Sequence, residues 1–127
     1  MILMVDNDPD FLFKCGVILE REGYKVVTAD TRKEAEKIIE KVKPELLITE
    51  IMIENKDSGF VLCNNLKQRY PEVPIIIYTS VVAETGMKFE LNTKGDKKWI
   101  KADALLEKGI DQEYFLKEVN RMLDAEG

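Results

Sequence analysis

Six polar side chains in this sequence are of the types that bind phosphate groups and hard metal ions. They are Asp6, Asn7, Asp8, Glu50, Thr79 and Lys108. Carboxylates hold Mg²⁺ through oxygen, and water and phosphate usually complete its octahedron. A lysine and a hydroxyl can contact the remaining phosphoryl oxygens. If the fold brings these side chains together, they predict a site for phosphate and metal chemistry.

Five short apolar segments must position these residues, and we predict that each is a β-strand. Their ranges are Ile2–Val5, Lys25–Thr28, Leu46–Glu50, Pro74–Tyr78 and Ala104–Glu107. Three of them are nearly continuous Ile, Leu, Val or Met, which is typical of strands covered on both faces. The amphipathic segments between them predict βαβ units and a parallel sheet. In such a sheet, ligands bind beyond the carboxyl ends of the strands, where the six polar residues fall.

Two helix starts are marked by capping residues. Asp8 before Pro9 predicts a cap followed by a first-turn proline, and Thr31 with Glu34 fits a capping box. The residues expected on the apolar face of the second helix are Ala35, Ile38, Ile39 and Val42. Two further helices are predicted, one between the third and fourth strands and one after the fifth.

The composition limits the function classes. A chain of 127 residues fits one domain, 1–127. Nineteen basic and 24 acidic residues leave a net charge of -5, which argues against nucleic-acid binding. Without histidine, and with two distant cysteines, the sequence excludes histidine catalysis and argues against a zinc site. No apolar run approaches the ~20 residues of a membrane span, and Met1 opens no signal peptide, so we expect a cytoplasmic protein.

The polar residues, taken in chain order, resemble the site of a response regulator receiver domain of two-component signalling. Asp6 matches the first acid of the family's acidic pair, and Asn7 falls on the second. Glu50 falls on the phospho-acceptor, Thr79 on the hydroxyl position and Lys108 on the lysine after the fifth strand. The resemblance covers the whole chain. It implies an α/β, flavodoxin-like (βα)5 three-layer sandwich with a parallel five-stranded sheet of order 2-1-3-4-5.

The sequence also departs from the family pattern at four positions. The family acceptor is an aspartate, whereas Glu50 carries its carboxylate one methylene farther out, and Asn7 removes one negative charge. The family's aromatic switch position falls on Leu105, which has neither ring nor hydroxyl. Gly109 stands where the family usually has proline after the lysine, so we expect a differently shaped loop.

The resemblance therefore implies an atypical signalling module, a pseudo-receiver in a phosphorelay, that is not an enzyme. Its aspartyl phosphorylation would be impaired or absent, and Asp6 and Glu50 would hold Mg²⁺ only weakly. Asp8 lies in the acidic pocket but is expected mainly to cap a helix. The implied partners are a sensor kinase or a downstream effector. The chain would act as a monomer, or as a dimer through the face of the family's fourth helix, fifth strand and fifth helix.

Two regions keep further alternatives open. The connection between the fourth and fifth strands is long for this family, with the excess in Glu84–Lys101. This extended segment could bind a partner or be a solvated loop. A phosphoryl group could also be accepted at Glu50 itself or at a nearby acid such as Asp57.

A second hypothesis assigns the chain to a different class of protein, an enzyme. Asp6 and Asp8 after an apolar strand also resemble the first motif of haloacid-dehalogenase-like phosphohydrolases. Asp6 would then be the nucleophile and Asp8 the general acid of a metal-dependent reaction. Against this, Asp10 stands where that motif expects Thr or Val, and Glu50 would have no role.

Overall fold

The computed structural model describes residues 1–53, 55, 58–79 and 102–124. Its strands are β1 (Ile2–Val5), β2 (Val26–Ala29), β3 (Leu46–Thr49), β4 (Ile75–Thr79) and β5 (Ala104–Glu107). Its helices are α1 (Pro9–Arg21), α2 (Arg32–Lys41), α3 (Ser58–Arg69) and α4 (Gln112–Asp124). The strands form one parallel sheet in the order β2-β1-β3-β4-β5, which confirms the predicted topology.

Apolar side chains cover both faces of the sheet, so the molecule has three layers. On one face, strand residues such as Leu47 and Ile77 pack with α2 and α3. On the other face, residues such as Met4 and Ile76 pack with α1 and α4. Because β1, β3 and β4 are buried along their whole length, their sequences are nearly continuous apolar runs.

The predicted helix caps are present. The Asp8 carboxylate accepts hydrogen bonds from the backbone N–H groups of Asp10 and Phe11 at the start of α1. The Thr31 hydroxyl accepts one from the N–H of Glu34 at the start of α2. Each cap satisfies backbone donors that a helix start would otherwise leave without partners. Both helices therefore begin where the sequence predicts.

The predicted apolar face of α2 is wrong at its last residue. The helix ends at Lys41, and Val42 is extended and 49% exposed. Pro44 disfavours helical backbone at Lys43, so the chain straightens before it enters β3 and Val42 leaves the helical face. Strands β2 and β4 each begin and end one residue later than predicted, and β3 ends one residue earlier.

The two cysteines lie in the core. Cys15 packs between α1 and the sheet, and Cys63 is fully buried on the opposite face. Burial raises the pKa of the Cys15 thiol to about 11 and that of Cys63 to about 12. Both thiols are therefore neutral packing groups at ordinary pH.

Two sequence expectations lie outside the described residues. These are the alternative acceptor Asp57 and the extended segment Glu84–Lys101. Among the described helices, none is both long and apolar enough to cross a membrane.

Candidate functional site

The carboxyl ends of β1, β3, β4 and β5 bring the site residues to one edge of the sheet. The N–H of Glu50 donates to the Val5 carbonyl at 3.0 Å, which sets the end of β3 beside the end of β1. The N–H of Lys108 donates to the Thr79 carbonyl at 2.8 Å, which does the same for β5 and β4. Backbone pairing thus fixes the positions from which these side chains extend.

A lysine and two carboxylates form the centre of the site. Lys108 Nζ lies 2.6 Å from Asp6 Oδ2 and 3.3 Å from Glu50 Oε1. Both acids are almost fully buried, and the lysine side chain is only 18% exposed. We call Asp6, Glu50 and Lys108 the charge cluster. Its net charge is negative by one when all three groups are ionised.

The second oxygen of each carboxylate also has a partner. Glu50 Oε2 accepts a hydrogen bond from the N–H of Ile51 at 2.6 Å. Asp6 Oδ1 accepts one from the N–H of Asp8 at 3.0 Å. All four carboxylate oxygens of the charge cluster are therefore engaged by hydrogen-bond donors of the chain itself.

Burial and pairing act in opposite directions on the ionisation of the cluster. Burial raises the pKa of Asp6, and the hydrogen bond and attraction from Lys108 offset this only in part. Burial by itself would lower the pKa of Lys108, but the hydrogen bonds and charges of Asp6 and Glu50 outweigh it and leave that pKa raised. The lysine is therefore held as a cation.

An aromatic ring packs against the lysine. Lys108 Nζ lies 4.2 Å from the ring centroid of Phe11, within the range of a cation–π contact. The Phe11 ring in turn contacts Tyr78 of β4, with 5.1 Å between centroids. Sequence reasoning missed Phe11, and its place in the first turn of α1, next to the loop after β1, is the one signal that could have found it.

Asn7 and Asp8 are exposed, and the hydrogen bonds of their side chains go to partners outside the charge cluster. Asn7 Nδ2 donates to the Ile53 carbonyl at 2.7 Å, which ties the loop after β1 to the loop after β3. The Asp8 carboxylate caps α1, as described above. Neither side chain thus adds a charge beside Lys108.

The structure also describes the remaining predicted positions, Thr79, Leu105 and Gly109. Thr79 is fully buried at the end of β4. Leu105 lies half-buried in β5 beside Ile77 and packs against the core shared with α2 and α3. Gly109, after Lys108, has a φ of +100°, a backbone conformation that glycine adopts readily.

Gly59 allows the loop that carries Glu50 to lie against α3. A Cβ atom at position 59 would stand 2.1 Å from the Glu50 carbonyl oxygen and 2.7 Å from the Ile51 Cα. The N–H of Gly59 also donates to the Ile51 carbonyl at 2.7 Å. A residue with a side chain could not occupy this position without displacing the loop after β3.

The residues present fit a divalent metal ion poorly. Within the ranges that the structure describes, no three acidic or thiol side chains group into a metal site. Asp6 and Glu50 are the two buried carboxylates at this edge, and Lys108 already contacts both. A metal ion would have to compete with that ammonium group for the same oxygens.

A comparison with protein-family models identifies the family to which this chain belongs. A sequence model described as the response regulator receiver domain matches residues 2–120. The chain belongs to this family. It is a receiver domain of two-component response regulators, as its site pattern predicts. The phosphohydrolase alternative is not supported.

Two curated relatives match this chain over less than a third of their own length. The transcriptional regulatory protein GlrR of Escherichia coli K12 is 34% identical over 79 residues, which are 62% of this chain and 18% of GlrR. The Bacillus subtilis 168 protein PhoP, named as an alkaline phosphatase synthesis transcriptional regulatory protein, is 35% identical over 79 residues. These are 62% of this chain and 32% of PhoP.

Solved receiver structures share the fold. A CheY-like response regulator receiver domain protein from Methanospirillum hungatei JF-1 gives a TM-score of 0.80 at 24% identity, covering 98% of this chain and 93% of that one. The receiver domain of NtrX from Brucella abortus gives a TM-score of 0.80 at 23% identity, covering 98% of each. These likenesses support the flavodoxin-like arrangement of five parallel strands.

Receiver domains in general serve signalling and interact with kinases and effectors. They also generally bind Mg²⁺ at their acidic pocket. In this chain the residues predicted for that pocket include an amide, Asn7, and a glutamate, Glu50.

Proposed function

We propose that this receiver domain is a pseudo-receiver, which signals through protein contacts and has impaired or absent phosphoryl acceptance at Glu50. The observation that carries the proposal is the contact between Glu50 Oε1 and Lys108 Nζ at 3.3 Å. In the family pattern this lysine contacts the phosphoryl group. In this chain the Glu50 carboxylate already forms an ion pair with that lysine.

The geometry at Glu50 opposes in-line attack on a phosphodonor. Its second oxygen accepts a hydrogen bond from the N–H of Ile51, so neither oxygen is directed at an incoming group. The extra methylene of glutamate also displaces the nucleophile relative to an aspartate. A displacement of ~1 Å can reduce a rate by about 100-fold.

The charge cluster also supports a constitutive state. Glu50 extends a negative charge farther from β3 than aspartate would, and that charge is paired with Lys108. An aspartyl phosphate would likewise extend negative charge toward the lysine. Glu50 therefore imitates part of the phosphorylated site, while Leu105 replaces the aromatic side chain that usually responds to it.

We infer that Asp6 and Glu50 bind Mg²⁺ weakly. The family's acidic trio is reduced to two carboxylates by Asn7, and the Asn7 amide is bonded to the Ile53 carbonyl. The affinity of a site for a hard cation decreases when it has fewer charged oxygen ligands. Lys108 adds a positive charge within 3.3 Å of both carboxylates.

We further infer one receiver unit over residues 1–127 that acts in the cytoplasm without enzymatic turnover. Its partners are a sensor kinase or a downstream effector, and not nucleic acid, because the net charge is -5. The contact face would include β5 and α4, which correspond to the family's fifth strand and fifth helix. The same face would support a dimer if one forms.

The constitutive state can be tested by removing the charge of Glu50. In Glu50→Gln, we expect amide NMR signals to shift in the loop after β3 and also in β5 and α4, since Lys108 loses one of its two acidic partners. Glu40→Gln, an exposed residue of α2, is the matched control. Shifts confined to the immediate neighbours of residue 50 would contradict a state held by Glu50.

A further inference from the structure

An open groove lies at the free edge of the sheet, far from β5. It has a volume of about 430 Å³ and runs between α1, the edge strand β2 and the start of α2. Its surface includes Phe13, Gly16, Val17 and Glu20 of α1, Val26 of β2, and Asp30 and Glu34 beside the start of α2. None of the three members of the charge cluster is among them.

The wall of the groove on α1 is apolar and open to solvent. Phe13 is 75% exposed, the largest exposure among the exposed large hydrophobic residues that the structure describes. Val17, one turn farther along α1, and Val26 of β2 are half-buried beside it. An exposed phenylalanine at the mouth of a concave apolar surface is typical of an interaction site.

A glycine in the middle of α1 keeps the floor of the groove low. A Cβ atom at Gly16 would meet Val26 Cγ1 at 4.0 Å, an ordinary van der Waals distance. The described packing would therefore accept alanine, although a glycine inside a helix costs roughly 0.5–1 kcal/mol relative to alanine. The missing side chain leaves space in the groove that a larger residue would fill.

The rim of the groove is acidic. Glu20 at the end of α1, Asp30 after β2 and Glu34 in the first turn of α2 are all exposed. Among the described residues that form the groove, there is no lysine or arginine. The surface thus combines an apolar floor with a negative rim, and its complement is an apolar surface with a positive rim.

We propose that this groove binds a protein segment that carries both positively charged and apolar side chains, such as a basic amphipathic helix. Apolar side chains of the segment would occupy the space above Gly16 against Phe13 and Val17. Its lysine or arginine side chains would pair with Glu20, Asp30 and Glu34. This inference goes beyond the proposed function, because it concerns a surface separate from the charge cluster.

The test uses the full chain and a fluorescein-labelled synthetic helix of leucine and lysine with one apolar face, followed by fluorescence anisotropy. We expect binding that weakens as salt rises. Gly16→Leu should fill the groove and weaken binding by about tenfold or more, whereas Gly16→Ala should keep it. Phe13→Ser should also weaken binding, which tests the same surface with an exposed residue.

A matched pair of charge reversals separates the groove from general attraction to an acidic protein. Glu20 and Glu40 are both exposed glutamates in the last turn of a helix, but Glu40 does not form the groove. Glu20→Lys should weaken binding, and Glu40→Lys should not. The proposal is wrong if the peptide does not bind or if both reversals weaken binding equally. Concentration-dependent self-association that Gly16→Leu abolishes would also overturn it, since the occupant would then be a second copy of the chain.

Discussion

Lys108 Nζ lies 2.6 Å from Asp6 Oδ2, and this contact joins residues 102 positions apart in the chain. Strands β1 and β5 are not neighbours, because β3 and β4 lie between them. The ion pair therefore spans the carboxyl edge of the sheet above two intervening strands. It also explains why Lys108 reaches Glu50, which follows β3 and lies along the same path.

Removing the lysine should destabilise the fold most at neutral pH. In Lys108→Met, Asp6 and Glu50 stay buried without their cation, and the free energy of unfolding should fall by about 3 kcal/mol. The pKa of Asp6 is raised by burial, so the folded protein binds a proton more tightly than the unfolded chain does. Protonation of Asp6 therefore stabilises the folded state, and this stabilisation is lost as pH rises through the folded-state pKa of Asp6.

Urea denaturation at neutral pH and at about pH 5 measures this effect, and the loss should be smaller in acid. Asp6→Asn in the Lys108→Met background is the control, because it removes one of the uncompensated charges and should restore part of the stability. An equal loss at both pH values, or no restoration by Asp6→Asn, would count against the charge cluster.

Two helical glycines should respond in opposite ways to alanine. Gly59→Ala places a Cβ atom 2.1 Å from the Glu50 carbonyl oxygen, so the backbone must move and stability should fall by at least about 2 kcal/mol. Gly16→Ala meets only Val26 at 4.0 Å and should gain roughly 0.5–1 kcal/mol. Thermal or urea unfolding of the two variants side by side decides the point, and similar changes in both would refute it.

Asp8 can be tested as a helix cap against its alternative role in the acidic pocket. Asp8→Asn removes the charge but keeps a capping oxygen, so stability and Mg²⁺ affinity should both stay near wild-type values. Asp8→Ala removes the cap and should cost about 1 kcal/mol. Urea unfolding and calorimetric Mg²⁺ titration measure the two properties. A marked loss of Mg²⁺ affinity in Asp8→Asn would place Asp8 in the metal site.

Restoring the aspartate at position 50 should not by itself restore strong Mg²⁺ binding. Glu50→Asp still lacks the second acid of the pair, because Asn7 is neutral. The double variant Asn7→Asp, Glu50→Asp should bind Mg²⁺ about tenfold or more tightly than the single variant, since it adds a charged oxygen ligand. Titration calorimetry compares them directly. Tight binding by Glu50→Asp alone would show that Asn7 does not limit affinity.

Much of the fold could be predicted because local signals and hydrophobic pattern agree. The apolar runs of β1, β3 and β4 indicated buried parallel strands, and the caps Asp8 and Thr31 marked two helix starts correctly. The alternation of strands and helices predicted parallel pairing, and the family resemblance supplied the sheet order. The apolar runs and the caps can be found in short stretches of sequence, and the parallel pairing follows from general rules of chain connection.

Other features depend on atoms that only the folded chain brings together. The periodic pattern of α2 extended to Val42, but it does not reveal that the chain straightens there before Pro44. The contact of Phe11 with Lys108 joins α1 to the loop after β5, and in the sequence only the place of Phe11 in the first turn of α1 points to it. The need for glycine at position 59 comes from the backbone of Glu50, which approaches it across the fold.

Intact-mass spectrometry of the wild-type chain, after incubation with a small-molecule phosphodonor and Mg²⁺, tests the central claim most directly. The double variant Asn7→Asp, Glu50→Asp is treated in parallel. We predict that the wild-type mass stays unchanged, because Lys108 and the Ile51 N–H engage the Glu50 oxygens, and that the variant gains one phosphoryl group. A stable phosphoryl group on the wild-type chain, mapped to Glu50, would contradict the account.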